Sequence, residues 1–458
     1  MDARPIARAT AAVALVAGAL WSLFDGGFVN YDAAYGLLWG EQVARGMNPE
    51  FVVPLAPTPK PLAMLLGLVL SPLGDEATTG LRVLSFLTLG ALAVVAFSCA
   101  RAIGGRMAGA VAVALVLSSV PLLSFGTRGY LDVLFVALAL GAARALARDA
   151  PAHHVAGLLA AGGLVRPEAW LLSAVHVAWV WRLDRRLPRA LVAIAAAPVV
   201  IWTLCDLLVT GDPLWSLTGT RANVEALGRD TGLGALLTTA PRRIGEIVRE
   251  PVLAGSVLAI LVLARRPDRQ TAVLAALGLL SLLSFAGLVL AGSPVIGRYL
   301  LLPSVVLIVL VGGAAGRVRL KDRPAVLVAT VALAAITIAV APAQLDRLSG
   351  LRSSLRAQTT IERDLEATAH AARRSGRCRP ITVEGHRQVP VIARELDVRA
   401  ASVRLYRGQV AGLSVVAATD RIRRLAALDR SVRPTSRTGA PTDTIVGRTG
   451  SWLLLSRC

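Results

Sequence analysis

A mainly α fold is predicted: a polytopic transmembrane bundle of about eleven spans that ends in a small extracytoplasmic α/β domain. Three observations predict it. Of 458 residues, 55% are apolar and only 17% charged, against roughly 25% charged in a soluble domain, and the mean hydropathy is +0.62. Apolar runs of about 17 to 25 residues, enough to cross a hydrocarbon core of about 30 Å, recur through most of the chain. After residue 342 these runs stop and short β-like segments replace them.

The chain opens on the basic stretch Met1 to Arg8 and an apolar run ending near Phe24. No small-x-small cleavage site precedes Trp21 and Phe24, so this run reads as a retained first helix. Further spans fall near 82–100, 107–126, 130–147, 152–165, 168–181, 190–209, 252–264, 271–291, 298–315 and 325–342. Helices are the expected spanning form, because the runs lack the dyad alternation of barrel strands. The Pro-flanked run Pro61 to Leu73 is too short to cross and reads as re-entrant or interfacial.

Arginines set the orientation. Arg101 and Arg106, Arg144 and Arg148, Arg182 to Arg189, Arg265 to Arg269 and Arg317 to Arg323 all fall on one side, which the positive-inside rule makes cytoplasmic. The opposite side receives the loop 25–58, the turns at 126–129, 166–168 and 292–297, the loop 210–250, and everything after about residue 343. Two domains follow: 1–342 in the membrane, with the first external loop 25–58, and 343–458 outside it. In the second, an amphipathic helix around Ile361 to Arg374 precedes β-like runs at Ile381 to Glu384, Val403 to Tyr406, Leu413 to Ala417 and Trp452 to Leu455, with a basic helix around Arg421 to Leu428.

The formal charge of +20 sits in short loops and in the tail, which suits membrane topology and anionic headgroups. Nothing interleaves aromatic and basic residues as a nucleic-acid site would. Four cysteines are too few for a zinc module. Cys99 and Cys205 lie in apolar runs, while Cys378 and Cys458 bracket the tail and read either as a pair or as two free thiols. His153 and His154, like His370 and His386, lack metal-ligand spacing.

The first external loop is too long for a mere connector. Within it Asp32, Tyr35, Trp39, Glu41, Gln42 and Arg45 share a helical pattern with Ala33, Leu37, Leu38 and Val43, as in a helix lying on the membrane surface. Asp32 has two readings, an N-cap that bonds the first free amides or a chemical group. Arg166 and Arg298, near external span ends, read either as snorkelling residues or as phosphate ligands. Arg128 is placed to pair Asp132, and Lys60 stands beside the Pro61 run.

The motifs Asn30-Tyr31-Asp32-x-x-Tyr35, Gly46-x-Asn48-Pro49, Pro57-x-Pro59-Lys60-Pro61-Leu62, Arg128-x-x-x-Asp132, Leu164-Val165-Arg166-Pro167-Glu168, Gly211-Asp212-Pro213-Leu214 and Gly297-Arg298-Tyr299-Leu300 occur in that order. Together they resemble the GT-C fold glycosyltransferases, multi-spanning enzymes that use polyprenyl-phosphate sugars, over roughly residues 1 to 342. The resemblance implies a transferase that moves a sugar, mannose by the family's habit, from a polyprenyl-phosphate donor to an extracytoplasmic glycan, lipid or protein. It implies Asp32 as the catalytic base of an inverting displacement. It implies Asp132, Arg128, Lys60, Arg166, Arg298 and Tyr299 as substrate-binding residues, and Asp32 with Asp132 as ligands of a divalent ion, Mg or Mn. This chain departs from the family where Ala33 follows Asp32 in place of a second acid, and where Pro59-Lys60-Pro61-Leu62 stands for a His-Pro-Pro-Leu type sequence. The Ala-, Arg- and Leu-rich composition fits a high-GC bacterium, hence an inner-membrane location with the active site and tail outside. A transporter or flippase of a polyprenyl-linked substrate is the competing reading, though no mid-bilayer ionisable residues or inverted repeats support it.

Overall fold

Helix follows helix from Arg4 to Arg374, and sheet is confined to the chain's end. The computed structural model describes residues 4–265, 267–318, 324–374, 378–406, 411–427 and 444–458. The helices of the first part are α1 (Arg4–Leu23), α2 (Tyr31–Ala44), α3 (Pro61–Leu70), α4 (Ala77–Ser118), α5 (Val120–Thr127), α6 (Asp132–Ala147), α7 (Ala152–Gly163) and α8 (Glu168–Asp184). They continue as α9 (Arg189–Thr210), α10 (Trp215–Ala226), α11 (Gly232–Ala264), α12 (Arg269–Leu290), α13 (Leu301–Ala315) and α14 (Pro324–Arg374).

Among the described residues five helical stretches are long and apolar enough to cross a membrane, or up to seven if two sharply bent pairs each form one span. The long α4 is itself two legs. Its backbone leaves helical geometry at Gly104 and Gly105, and a Cβ on Gly109 would lie 2.6 Å from the Phe97 ring, whereas residues twelve apart in a straight helix are about 18 Å apart. The legs are therefore antiparallel. The expected second leg, 107–126, ends early, because α4 stops at Ser118 and α5 starts at Val120 with Pro121 in its first turn. Length and apolarity alone do not reach eleven spans, since α7 and α8 hold only 12 and 17 residues.

Polar contacts sort the loops to two ends of the bundle. At one end Arg317 pairs with Asp268 and donates to the Ile103 carbonyl at 2.9 Å, Arg269 donates to the Leu146 carbonyl at 3.1 Å, and Arg144 reaches Gln270 at 2.8 Å. These are turns that the arginine pattern groups together. The loop 25–58 and the turns carrying Asp132, Arg166 and Arg298 meet at the other end.

The expected helix in the first loop exists as α2, but it does not lie on the membrane surface. It is buried from Asp32 to Gln42, because the C-terminal domain covers it: Tyr35, Leu38 and Trp39 share a core with Ile361, Leu365, Val389 and Ile392. Its opposite face packs on α3 through glycine. A Cβ on Gly40 would stand 2.2 Å from the Leu68 amide nitrogen, and one on Gly67 would stand 2.2 Å from the Gly36 carbonyl. Gly36 and Gly40, one turn apart, thus let two backbones touch. This contact explains why the Pro61 run stays short: α3 is a 10-residue helix seated on α2.

The tail does not begin with a break. α14 runs for 51 residues through Pro342, so the last apolar run and the amphipathic segment 361–374 are one rod. Beyond it come β1 (Ile381–Val383), α15 (Val389–Glu395), β2 (Val403–Leu405), β3 (Leu413–Ala417), α16 (Asp420–Ala427), β4 (Thr444–Arg448) and β5 (Trp452–Ser456). Four strands match the predicted β-like runs; β4 adds a fifth. The sheet order is β2-β1-β3-β5-β4, with β1, β2 and β3 parallel and β5 antiparallel to both neighbours. Leu428, at the end of the predicted basic helix, lies outside the described residues. Cys378 and Cys458 are disulfide-bonded, 6.1 Å apart at Cα.

Docking of the domain is polar at its edge. Arg394 bonds Glu41 at 2.8 Å, Thr78 at 2.7 Å and the Gly74 carbonyl at 2.8 Å. Beside it, loss of water pushes Glu362 up to about 8, with Glu366 adding repulsion against the pull of Arg82 and Arg394.

Two outcomes follow from this packing. Gly40→Leu forces side-chain atoms into the Gly67–Leu68 backbone and is expected to cost about 3 kcal/mol or more, seen as a lowered thermal midpoint. Because Glu362 holds its proton more tightly folded than unfolded, stability should fall as pH rises from about 4.5 to about 8. Thermal scans across that range should be flatter for Glu362→Gln.

Candidate active site

Asp32 is placed by a loop strapped to the α5–α6 turn. Phe28 and Asn30 donate backbone bonds to the carbonyls of Thr127 and Arg128 at 3.1 and 3.0 Å, and the Asn30 side-chain amide adds another to Arg128. Asn30, not Asp32, is the N-cap of α2: its Oδ1 accepts from the amides of Asp32 at 2.8 Å and Ala33 at 3.4 Å. The capping reading of Asp32 is thereby overturned. With the cap supplied by Asn30, the Asp32 carboxylate is left to face the bundle.

There it pairs with Arg298, which stands at the turn entering α13. The other carboxylate oxygen, Oδ1, is buried without a hydrogen-bond partner, as is Nε of Arg298. Burial alone would raise the Asp32 carboxyl, but the nearby charges of Arg298 and Lys60 hold it below the usual carboxylate range.

A second group adjoins the first. Arg166 donates to Asp132 at 2.7 Å and grips Glu168 with two nitrogens, one at 3.1 Å. Lys60, the residue before α3, brings Nζ within 3.5 Å of Asp132 Oδ2. The Tyr299 ring joins the groups: the Arg166 guanidinium lies 3.8 Å and that of Arg298 5.5 Å from its centre. Tyr130 offers a further face to Arg298 at 5.3 Å. Asp132 and Glu168 are the first residues of α6 and α8, where helix amides favour negative charge.

Six predicted residues, Asp32, Lys60, Asp132, Arg166, Arg298 and Tyr299, are thus brought together. Arg128 is not among them. Its guanidinium lies over Phe28 and reaches Ser354 of α14 at 3.4 Å, so the expected pairing with Asp132 is wrong; the Asp132 oxygens face Arg166 and Lys60. Sequence reasoning passed over Asn30 as the cap, although Asn suits that position as well as Asp, and over Tyr130 and Glu168. It also missed what the tail contributes: His386 stacks edge-on against Tyr31 at 5.3 Å and Arg387 lies 5.0 Å from the same ring. No local signal points to that long-range contact.

The donor set does not fit the divalent ion expected at Asp32 and Asp132. Each acid already faces a cation, a hard ion takes about six oxygens, and no group of three His, Cys, Asp or Glu among the described residues is arranged for a metal. Three acids against three cations make the cluster neutral.

No protein-family model matches the chain, and no curated protein does so. Solved structures do. ArnT from Cupriavidus metallidurans bound to undecaprenyl phosphate aligns with a TM-score of 0.61 at 14% identity, covering 99% of this chain and 98% of that one. The apo form of the same protein gives 0.58 at the same identity and coverage. The chain has the GT-C fold. The fold likeness runs the full length and so includes the tail, beyond the roughly 342 residues that the sequence motifs span. Within this GT-C chain the charged cluster lies where first loop, α6, α8 and α13 converge.

Arg166 is the hub of the cluster. Arg166→Ala should leave Glu168 buried and unpaired and Asp132 with Lys60 alone, at a cost of about 3–5 kcal/mol. Thermal unfolding checks this, and Arg166→Ala with Glu168→Ala should recover part of the loss.

Proposed function

We propose that this chain is a membrane glycosyltransferase that takes a sugar from a polyprenyl-phosphate donor and passes it to an extracytoplasmic acceptor. The observation that carries it is the Asp32–Arg298 pair, flanked by Lys60, at one mouth of an apolar bundle. A carboxylate beside two cations is what a reaction with a phosphate leaving group and a hydroxyl nucleophile requires. The undecaprenyl phosphate bound to the similarly folded ArnT agrees with such a donor.

In this reading the lipid phosphate takes Arg298 and Lys60 as its partners. Asp32, released from Arg298, accepts the proton of the acceptor hydroxyl as that oxygen attacks the anomeric carbon. The new carbon–oxygen bond forms on the face opposite the phosphate. The old one breaks with its electron pair going to the phosphate oxygen, where the two cations neutralise the charge. The anomeric configuration inverts. Asp132 keeps Lys60 and Arg166 in position, and no step runs through a metal.

An apolar cavity of about 390 Å3, lined by Ala139, Leu146, Leu172, Trp179, Arg269 and Leu277 among others, lies toward the arginine-rich end of α6, α8 and α12, away from the cluster. The site and tail are assigned to the extracytoplasmic face of a bacterial inner membrane. The arginine-rich turns at the other end and the Cys378–Cys458 disulfide, which persists in an oxidising compartment, support that side. Eleven spans are retained as the working topology, with the shorter helices completing the count. Mannose is the first donor sugar to test, and a glycan, lipid or protein hydroxyl is the acceptor class.

Asp32→Asn should lower transfer from undecaprenyl phosphomannose by at least about 100-fold, within the usual range for a general base, while binding of the lipid donor persists. A chelator should leave the wild-type rate unchanged. An Asp32→Asn variant with full activity, or lipid transport across vesicles without glycosidic bond formation, would remove the assignment.

A further inference from the structure

A second cavity, of about 240 Å3, lies between the loop 51–59 and α10. The reaction steps above do not use it. It has the space of about eight waters, enough for one monosaccharide ring and not for a chain of them. The two walls are tied together: Thr58 and Thr220 share a hydroxyl bond of 2.5 Å, and the Asn223 amide donates to the Ala56 carbonyl at 2.7 Å. α10 is anchored from below by Asp206, a buried acid near the end of α9, which accepts from the Ser216 amide at 2.8 Å and hydroxyl at 2.9 Å. Ser216 in turn accepts from the Trp202 indole at 2.7 Å. This is a fixed site, held in place before anything binds.

Trp215 gives the cavity its chemistry. The indole N–H groups of Trp39, Trp170, Trp202 and Trp452 are each donated to a protein oxygen; those of Trp21, Trp179, Trp181 and Trp215 have no acceptor among the described residues, and of these four only Trp215 lines this cavity. Its ring lies across Gly219, where a Cβ would stand 3.3 Å from indole Cε2; the missing side chain lets the ring lie close to the helix. The Thr220 hydroxyl donates to the Ser216 carbonyl and the Asn223 amide nitrogen to Ala56, so these two side chains offer a ligand their oxygens as acceptors; with an aromatic face and the unused Trp215 N–H they form a recognition set for a sugar, apolar C–H groups on one side and hydroxyls at the edge. Position agrees. Pro59 lines the cavity, and the next residue is Lys60.

We propose that this cavity seats a pyranose ring, stacked on Trp215 and hydrogen-bonded by its indole N–H, Thr220 and Asn223, with Asp206 as the positioning residue that holds α10. The inference rests on the transferase reading and deepens it. The ring belongs either to the lipid-linked donor or to the acceptor glycan, and the two sources separate experimentally.

The test uses the full chain in lipid nanodiscs and three probes: undecaprenyl phosphate, undecaprenyl phosphomannose, and the methyl pyranosides of mannose, glucose and galactose. If the ring is the donor's, wild type binds the sugar-bearing lipid more tightly than the bare one. Trp215→Ala then loses about fivefold to tenfold of that difference while bare-lipid affinity stays the same. If the ring is the acceptor's, saturation-transfer NMR detects a methyl pyranoside on wild type saturated with undecaprenyl phosphate, and the signal is lost in Trp215→Ala with the lipid difference intact. Trp215→Phe, which keeps the apolar face without the N–H, and Thr220→Val should fall between, and they carry the test if Trp215→Ala does not fold. Unchanged lipid difference and unchanged pyranoside signal in the variants overturn the proposal. Failure of wild type to bind bare undecaprenyl phosphate counts against the transferase reading instead, and the pyranoside arm still decides the sugar seat.

Discussion

Burying charge governs this structure. Asp32, Asp132 and Glu168 are nearly sealed from water, as is Arg166, and an isolated ion in such surroundings costs several kcal/mol even after relaxation. The acids persist because Arg166 and Arg298 meet them with short contacts, Lys60 with a longer one, and because Tyr130 and Tyr299 present ring faces to the guanidinium groups. Every element that supplies one of these groups must arrive in register with the others. The Asn30 cap, the strap to Thr127 and Arg128, and the glycine contact between α2 and α3 are the devices that achieve this.

The same constraint bears on the chemistry proposed for the cluster. Arg166 and Glu168 are fully engaged, whereas Oδ1 of Asp32 and Nε of Arg298 lack partners and the Lys60–Asp132 contact is long. In the proposed transfer, a phosphate would compete for the cations and release the carboxylates, which would couple binding of the leaving group to readiness of the base. The C-terminal domain enters this arrangement as a roof. It excludes water from α2 and sets His386 and Arg387 against Tyr31, the neighbour of Asp32.

Much of the site was legible because its residues break the apolar pattern. Lys60, Asp132, Arg166 and Arg298 stand at the ends of apolar runs, where a charge needs a reason, and their shared side follows from the arginine asymmetry of the other loops. Partner choice was not legible. Arg128 is four residues before Asp132, and on a helix that spacing would pair them; but the chain turns sharply between α5 and α6, by 112°, and the guanidinium points to α14 instead. Asn30 and Asp32 are equally good caps by type, so only the entry angle of the strap decides between them. The surface placement of α2 failed for a related reason: its apolar side matches a membrane as well as a protein core, and the covering domain lies more than 300 residues away in sequence.

By itself, then, the sequence determined the apolar, helical character of the spans, that the unusual acids gather at one end, and four of the five strands of the tail. These rest on local quantities: apolar run length, charge in short loops, and β-like residue types. Tertiary structure decided which acid meets which cation, that α2 is a buried layer, that α14 joins bundle and tail as one rod, and that Trp215 faces a walled cavity. Those outcomes depend on contacts between segments far apart in the chain, where many pairings satisfy the same residue types and only the packed backbone selects one.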